Sequence, residues 1–207
     1  MRTRNDPVRA YNRYSGPFAR ARGVYFRKVV QRFTPPAGAV LDVGCGQGDF
    51  LTACRALGRH GIGVDRDAAW IAACRDRGLE ARPGAADALP FDERTFDAVF
   101  AQSVLEHVVD PLAVGREMLR VLRPGGCLIL SCPTPGSAFW DDPTHVRPWT
   151  PASFRTLCEM LSVEVVHLSY VFAFLLGIEL SSSVVYRLLN LFPVPLGSNL
   201  ILVARKP

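Results

Sequence analysis

Val40-Leu41-Asp42-Val43-Gly44-Cys45-Gly46-Gln47-Gly48-Asp49-Phe50 decides the fold, because an apolar β-type run breaks into three alternate glycines and then into a helical pattern. It reads as a strand, a tight turn and a helix start. Glycines at 44, 46 and 48 let the backbone take positive φ and come close to a ligand, while the helix behind them presents unpaired N–H groups and the positive end of its dipole. Such a turn can cradle a nucleotide-type ligand; the plainer reading is a tight strand-to-helix turn with no ligand. Nineteen residues after Gly46 stands Asp65, closing the apolar run Gly61-Ile62-Gly63-Val64-Asp65. A carboxylate at a strand end can accept both hydroxyls of a ribose.

Outward from this turn the pattern alternates. Strand 39–43, helix 48–57, strand 61–65, helix 68–77, short strand 79–82, strand 96–101, helix 111–121 and strand 126–132 form a βαβ progression. That progression predicts a doubly wound α/β fold, a mostly parallel sheet with helices on both faces. Asp110-Pro111 supplies an N-cap and a first-turn proline for one helix, and Pro124-Gly125-Gly126 supplies the turn after it. Upstream, Val24, Phe26, Val29, Val30 and Phe33 recur near helical spacing and predict a helix over 17–33, ended by Pro35-Pro36 and preceded by a loosely ordered basic lead. Downstream come helix 151–161, strand 163–170, an apolar segment 171–192 and a last strand 199–204. The 207 residues fit one domain: a basic helical arm over 1–37, a ligand-binding core over 38–133, and a substrate-side loop, apolar segment and final strands over 134–207.

Composition narrows the function classes. Six cysteines (45, 54, 74, 127, 132, 158) are scattered without a C-x-x-C pair, and no signal-peptide pattern is read at the start. They are expected to be reduced thiols of a cytoplasmic protein, not disulfides or a zinc site. The most apolar stretch, Val163 to Leu196, is interrupted by His167, Gly177, Glu179, a serine triplet and Arg187, so no transmembrane segment is expected, with peripheral membrane contact left open. The net charge of +5 is uneven, since residues 1–32 alone sum to +8. Arginines spread over an amphipathic helix read first as a solvated face, and the modest aromatic interleaving does not make the arm a nucleic-acid module.

The glycine spacing is G-x-G-x-G, with Asp42 two positions ahead of it. Further segments follow in order: Gly84-Ala85-Ala86-Asp87-Ala88-Leu89-Pro90-Phe91, then Phe96 to Val108 through Gln102-Ser103-Val104-Leu105-Glu106-His107, then Leu122-Arg123-Pro124-Gly125-Gly126. Over residues 38 to 133 this order resembles the class I S-adenosylmethionine-dependent methyltransferases, of the small-molecule type 11-like kind. The resemblance implies a seven-stranded Rossmann-like sheet whose last strand is antiparallel, and S-adenosylmethionine as cofactor with S-adenosylhomocysteine as product. It implies that Gly44, Gly46 and Gly48 pass under the methionine and ribose, that Asp65 holds the ribose hydroxyls, that Asp87 accepts from the adenine amino group, and that Asp42 lies near the ammonium end. Gln102 and Ser103 would line the floor, with Cys45, Arg66 and Ala88 completing the cofactor set.

Methyl transfer from a sulfonium is an in-line displacement of an already activated group, so the protein mainly aligns donor and acceptor and excludes water. A hydroxyl acceptor also needs a base. His60 and His167 are expected to be structural. His107 is a pocket-wall residue or a base, and His145 is the stronger base candidate, in the loop Phe139-Trp140-Asp141-Asp142-Pro143-Thr144-His145-Val146-Arg147-Pro148-Trp149-Thr150 after the fifth strand. The alternative for that loop is plain packing, with Arg147 on Asp141 or Asp142 and His145 on backbone. A metal site from Asp141, Asp142 and His145 is weighed against the same pairing, and no metal is expected. The apolar segment reads as a lid over a lipid-linked or aromatic substrate, as ordinary core, or as a dimer contact. The expected function is methyl transfer to an oxygen or nitrogen of a small or lipid-linked metabolite. The alternatives are a nucleic-acid methyltransferase using the basic arm and a non-catalytic cofactor-binding scaffold; acceptor and oligomeric state stay open.

Overall fold

The computed structural model describes residues 19–135, 137–171, 179–180 and 199–207. The basic lead and nearly all of the apolar segment 171–192 lie outside them. In chain order the elements are α1 (Ala19–Phe33), β1 (Ala39–Val43), α2 (Asp49–Ala56), β2 (His60–Asp65), α3 (Ala68–Asp76), β3 (Glu80–Pro83), β4 (Phe96–Gln102), a 3-10 turn (Leu105–His107), α4 (Pro111–Val121), β5 (Leu122–Pro133), a second 3-10 turn (Ser137–Asp141), α5 (Pro151–Leu161), β6 (Glu164–Val171), β7 (Glu179–Leu180) and β8 (Asn199–Arg205).

One sheet runs in the order β3-β2-β1-β4-β5-β8-β6-β7. β1 to β5 are parallel, and β8 is inserted antiparallel between β5 and β6. This is the expected seven-stranded arrangement with the two-residue β7 added at the edge of β6. Strand order reverses between β1 and β4, so a crevice opens beyond their carboxyl ends, where open α/β sheets take their ligands.

The central strands are buried on both faces and therefore read as continuous apolar runs. On one face Val29, Val30 and Phe26 of α1 pack with Phe50 of α2 and Phe100 of β4. There the Phe50 and Phe100 rings stack at 3.8 Å, and Phe26 stands edge-on to both. On the other face Val114, Met118 and Val121 of α4 and Phe154 and Leu157 of α5 cover Leu41, Val99, Leu128 and Leu202. Asp110 caps α4 through the N–H groups of Leu112 and Ala113 as its sequence predicts, and Thr150 with Ser153 forms a capping box on α5.

The turn expected at Pro124-Gly125-Gly126 is instead a bulge inside a longer strand. β5 begins at Leu122, its register against β4 shifts between Phe96 and Ala98, and Gly125 sits at φ +77. The added pairing is held by Arg123 on Asp97 at 2.6 Å and by Gly125 and Gly126 exchanging backbone hydrogen bonds with Lys206. A glycine pair is compatible with either a turn or a bulge, and the partner strand decided between them.

Candidate functional site

β1 delivers the glycine turn to the crevice, and β2 anchors it there. The N–H groups of Gly44 and Cys45 both donate to Val64 O, at 2.8 and 3.0 Å. Gly44, Gly46 and Gly48 take φ of +73, +51 and +81. A Cβ on Gly44 would stand 2.6 Å from Val104 Cγ2, and one on Gly48 2.5 Å from Leu79 Cδ1, whereas one on Gly46 would meet nothing within 4 Å. Two glycines are thus demanded by packing, and the third borders open space. Gly48 caps α2 without a side-chain hydrogen bond, leaving N–H groups and the helix dipole for a ligand.

Asp65 closes β2 with Oδ2 accepting the Gly46 N–H and Oδ1 accepting that of Asp67, both at 3.0 Å. Its carboxylate is held in place, and each oxygen keeps a lone pair. Asp42 is buried beneath the turn, and burial, with Cys74, Asp65 and Asp49 beside it, pushes its carboxyl well above the usual range. Every one of these influences disfavours the anion, so a ligand with a cationic end would relieve the site. Gln102 Oε1 is buried with no hydrogen-bond partner, and Ser103, the next residue, is held at φ +53 by donating its N–H to Ser131 O. Such strain is tolerated where surrounding structure over-determines it. Arg66, Asp87 and Ala88 are exposed along the same rim. The Cys45 side chain turns under the loop, where its Sγ lies 3.9 Å from Cys74 Sγ.

Beyond Ser103 the 3-10 turn places Glu106 and His107, and the loop after β5 folds over them through Val146 N–H on Glu106 O at 2.7 Å. Glu106 has 0% exposure, and neither carboxylate oxygen has a hydrogen-bond partner. Burial pushes its carboxyl up to about 7, despite the Cys132 thiol, His145 and Ser103 nearby. His107 Nδ1 lies 2.9 Å from Thr144 Oγ1, whose own proton goes to Asp142 Oδ1 at 2.6 Å. His145 Nδ1 lies 2.6 Å from the Phe139 carbonyl. Burial and the neighbouring His145 lower the His107 pKa, partly offset by Thr144 and Asp142, while the Thr144 hydrogen bonds hold the Asp142 carboxyl below its usual range.

The structure therefore joins His107 and His145, the two candidate bases, with ring centroids 4.7 Å apart. It adds Glu106, which sequence reasoning passed over although it stands beside His107. The alternative pairing expected for the loop is not formed as drawn: Arg147 donates to Val109 O at 2.6 Å, not to Asp141 or Asp142. His145 does bond to backbone, as that alternative held. His60 faces Glu80 at the surface, and His167 bonds Ser169, both away from this cluster. A cavity of about 620 Å³ lined by Arg32, Asp97, Arg123 and His167 opens at the opposite end of the strands and holds none of the site residues.

Comparison with known proteins agrees with this geometry. Residues 41–130 match the methyltransferase domain family. An uncharacterized methyltransferase of Mycolicibacterium gilvum is 41% identical over 97 residues, which are 44% of this chain and 38% of that one. Another, from Mycobacterium sp. strain KMS, is 34% identical over 137 residues, or 61% and 51% of the two chains. The chain thus spans about half the length, or less, of these curated relatives. Among solved structures, the methyltransferase in complex with the Haloferax volcanii Trm112 activator superposes with a TM-score of 0.76 at 22% identity, covering 100% of this chain and 99% of its own, a likeness of fold. Over residues 41–130 the chain thus matches a methyltransferase domain, and the glycine turn, Asp65 and the 3-2-1-4-5 strand order are the parts of the fold that agree with that match.

Proposed function

We propose that this chain transfers the methyl group of S-adenosylmethionine to an oxygen or nitrogen of a small or lipid-linked metabolite. The observation that carries the reading is the turn at the switch point, with open space at Gly46, Asp65 fixed beside it and Asp42 buried beneath it without a compensating cation. When bound, the cofactor supplies a methyl group already activated by its sulfonium. Asp65 offers the lone pairs left to it, Asp42 a negative charge for the ammonium end, and the uncapped start of α2 its free N–H groups. The exposed Asp87 and Ala88 flank the adenine side, Arg66 stands at the rim, and Gln102 and Ser103 form the floor. The acceptor enters on the side of the loop 139–150, where the Glu106, His107 and His145 cluster takes up its proton.

Two features favour a metabolite over a nucleic acid. Arg22 of α1 is directed inward and bonds Asp49 at 2.6 Å. The loop on the acceptor side brings the Phe139 ring and the Asp142 carboxylate to His145. No helix among the described residues is long and apolar enough to cross a membrane; a cytoplasmic location is part of the same proposal.

Calorimetry with S-adenosylmethionine tests the cofactor, and S-adenosylhomocysteine release in the presence of panels of hydroxyl and amine metabolites tests the reaction. Saturable binding with product formation is expected. Binding without product on any acceptor class would make the chain a scaffold, and absence of binding by a folded protein would overturn the reading.

A further inference from the structure

Three side chains in the crevice carry lone pairs that nothing in the described structure uses. The Thr144 hydroxyl spends its proton on Asp142 at 2.6 Å, so it can only accept from His107, which fixes the His107 proton on Nδ1. The Phe139 carbonyl has no proton to give, so His145 also carries its proton on Nδ1. Both Nε2 atoms are left as bare acceptors. Beside them the Glu106 carboxylate, with 0% exposure and no atom within hydrogen-bond geometry, lies 4.0 Å from His107 Nε2. One ligand atom from each of the three residues lies within 4.8 Å of the other two. Among the described residues the Cys132 thiol and Ser103 stand near that carboxyl as donors, and neither reaches hydrogen-bond geometry, so a buried carboxyl beside two imidazole lone pairs is left under-compensated in a way that a bound cation would relieve.

We infer that Glu106, His107 and His145 form a binding site for a divalent first-row transition-metal ion. Two imidazole nitrogens and one carboxylate suit zinc, manganese, iron or cobalt; magnesium and calcium prefer oxygen ligands throughout. Ligands of one such ion sit ~2.0–2.2 Å from it and hence roughly 3.0–3.5 Å from each other, a closure that small side-chain rotations supply. The supports expected around metal-bound histidines are already built. Each ring is fixed through its Nδ1–H, one by a backbone carbonyl and the other by a hydroxyl backed by a carboxylate. Asp142 Oδ2 stands 3.8 Å from His145 Nε2 as a further oxygen.

The place of the trio gives the ion a task. Val104, two residues before Glu106, packs on Gly44 of the cofactor turn, so the site lies one short turn from where the methyl group would be offered. Three protein ligands would leave coordination positions for a hydroxyl oxygen of the acceptor; with the ion bound the imidazoles serve as ligands, and the role of proton acceptor passes from them to the exposed Asp142 carboxylate and solvent. This deepens the methyl-transfer reading toward an oxygen acceptor and rests on it, but the ion's binding does not.

The test uses the full chain, freed of metal by chelation and titrated with manganese(II) and cobalt(II) by calorimetry and by the cobalt absorption spectrum. One ion per chain is expected, with a cobalt band typical of nitrogen and oxygen ligands. Glu106→Gln, which keeps shape and removes buried charge, and His145→Ala should each weaken metal binding at least tenfold while S-adenosylmethionine affinity stays within twofold. Circular dichroism of both variants reports that the fold survives; should His145→Ala unfold, Glu106→Gln decides alone. A wild-type protein that takes up neither ion at millimolar concentration, or a Glu106→Gln variant that binds as wild type, overturns the site. Loss of cofactor binding in the wild type would instead strike the methyl-transfer reading and leave the metal result standing.

Discussion

Gly46 and Gly63 are both glycines near the turn, and the structure requires them for different reasons. A Cβ on Gly63 would stand 2.6 Å from Cys45 Sγ and 2.9 Å from Leu51 Cδ1, while one on Gly46 would enter open space at φ +51. Gly63→Ala should therefore destabilise the fold by about 1–3 kcal/mol, through overpacking, with or without ligand. Gly46→Val should cost only about 1–2 kcal/mol of backbone strain and yet abolish cofactor binding, because its side chain occupies the ligand's space. Thermal melts paired with calorimetry check both, and a Gly46→Val protein that binds normally would reduce the turn to a structural one. Asp65→Ala adds a graded case. Each charge-assisted hydrogen bond it removes is worth ~1.5–3 kcal/mol, so cofactor affinity should fall by roughly 10-fold or more. Part of that loss is indirect, since the same carboxylate holds the Gly46 N–H at 3.0 Å.

At the scale of elements, α1 is tied to α2 by Asp49, which accepts from Arg22 at 2.6 Å and from Arg77 at 3.0 Å. Burial alone would raise the Asp49 carboxyl, but Arg22, with hydrogen bonds from Arg77, Arg22 and Gln47, outweighs it and the net shift is downward. The folded carboxyl thus ionises at lower pH than the ~3.9 of an unfolded chain. The stabilisation is complete above the unfolded value and is lost as pH falls through the folded one. Asp49→Asn should flatten the loss of stability between about pH 5 and 3, measured by urea unfolding at a series of pH values; an unchanged slope would remove Asp49 from the acid response. Arg22→Ala should cost about 1–3 kcal/mol at neutral pH.

Some elements were legible in the sequence for the same physical reason they exist. The turn after β1 is recognisable because Val104 and Leu79 leave no room for a side chain at Gly44 and Gly48, and Asp110-Pro111 because a helix start needs an acceptor and tolerates a missing N–H. The start of β5 was not, since Gly125-Gly126 becomes a bulge only once β4 and Lys206 pair with it. Within the site, Asp65 could be placed from strand-end position alone. Glu106 could not: a glutamate after a strand reads as a solvated surface group, and only the loop pinned by Val146 on Glu106 O encloses it. The joining of His107 to His145 depends on that same closure across 38 positions of chain.

Across the whole molecule the sheet carries the fold, and the crevice is an addition at one end of it. β8, last in sequence, lies between β5 and β6, with Leu200, Ile201, Leu202, Val203 and Ala204 all at 0% exposure. Leu202 belongs to the face covered by α4 and α5, on the far side of the sheet's length from the glycine turn in chain order but in the same apolar cluster as Leu41 and Val43. Leu202→Ala should leave a cavity and cost about 2–5 kcal/mol, or roughly 4–20 °C in melting temperature for a chain of this size. Cofactor at a hundred times its dissociation constant should add about 2.7 kcal/mol by mass action, or roughly 5–11 °C. If the sheet supports the site without being strained by it, the two effects are additive, so Leu202→Ala should melt lower both with and without S-adenosylmethionine while the cofactor-induced shift stays the same within about 0.5 kcal/mol. Differential scanning calorimetry on four samples, each protein with and without cofactor, measures this. A cofactor shift that collapses in the variant would mean that packing around β8 sets the geometry of the turn through β1 and β4, and that the crevice and the core are one cooperative unit.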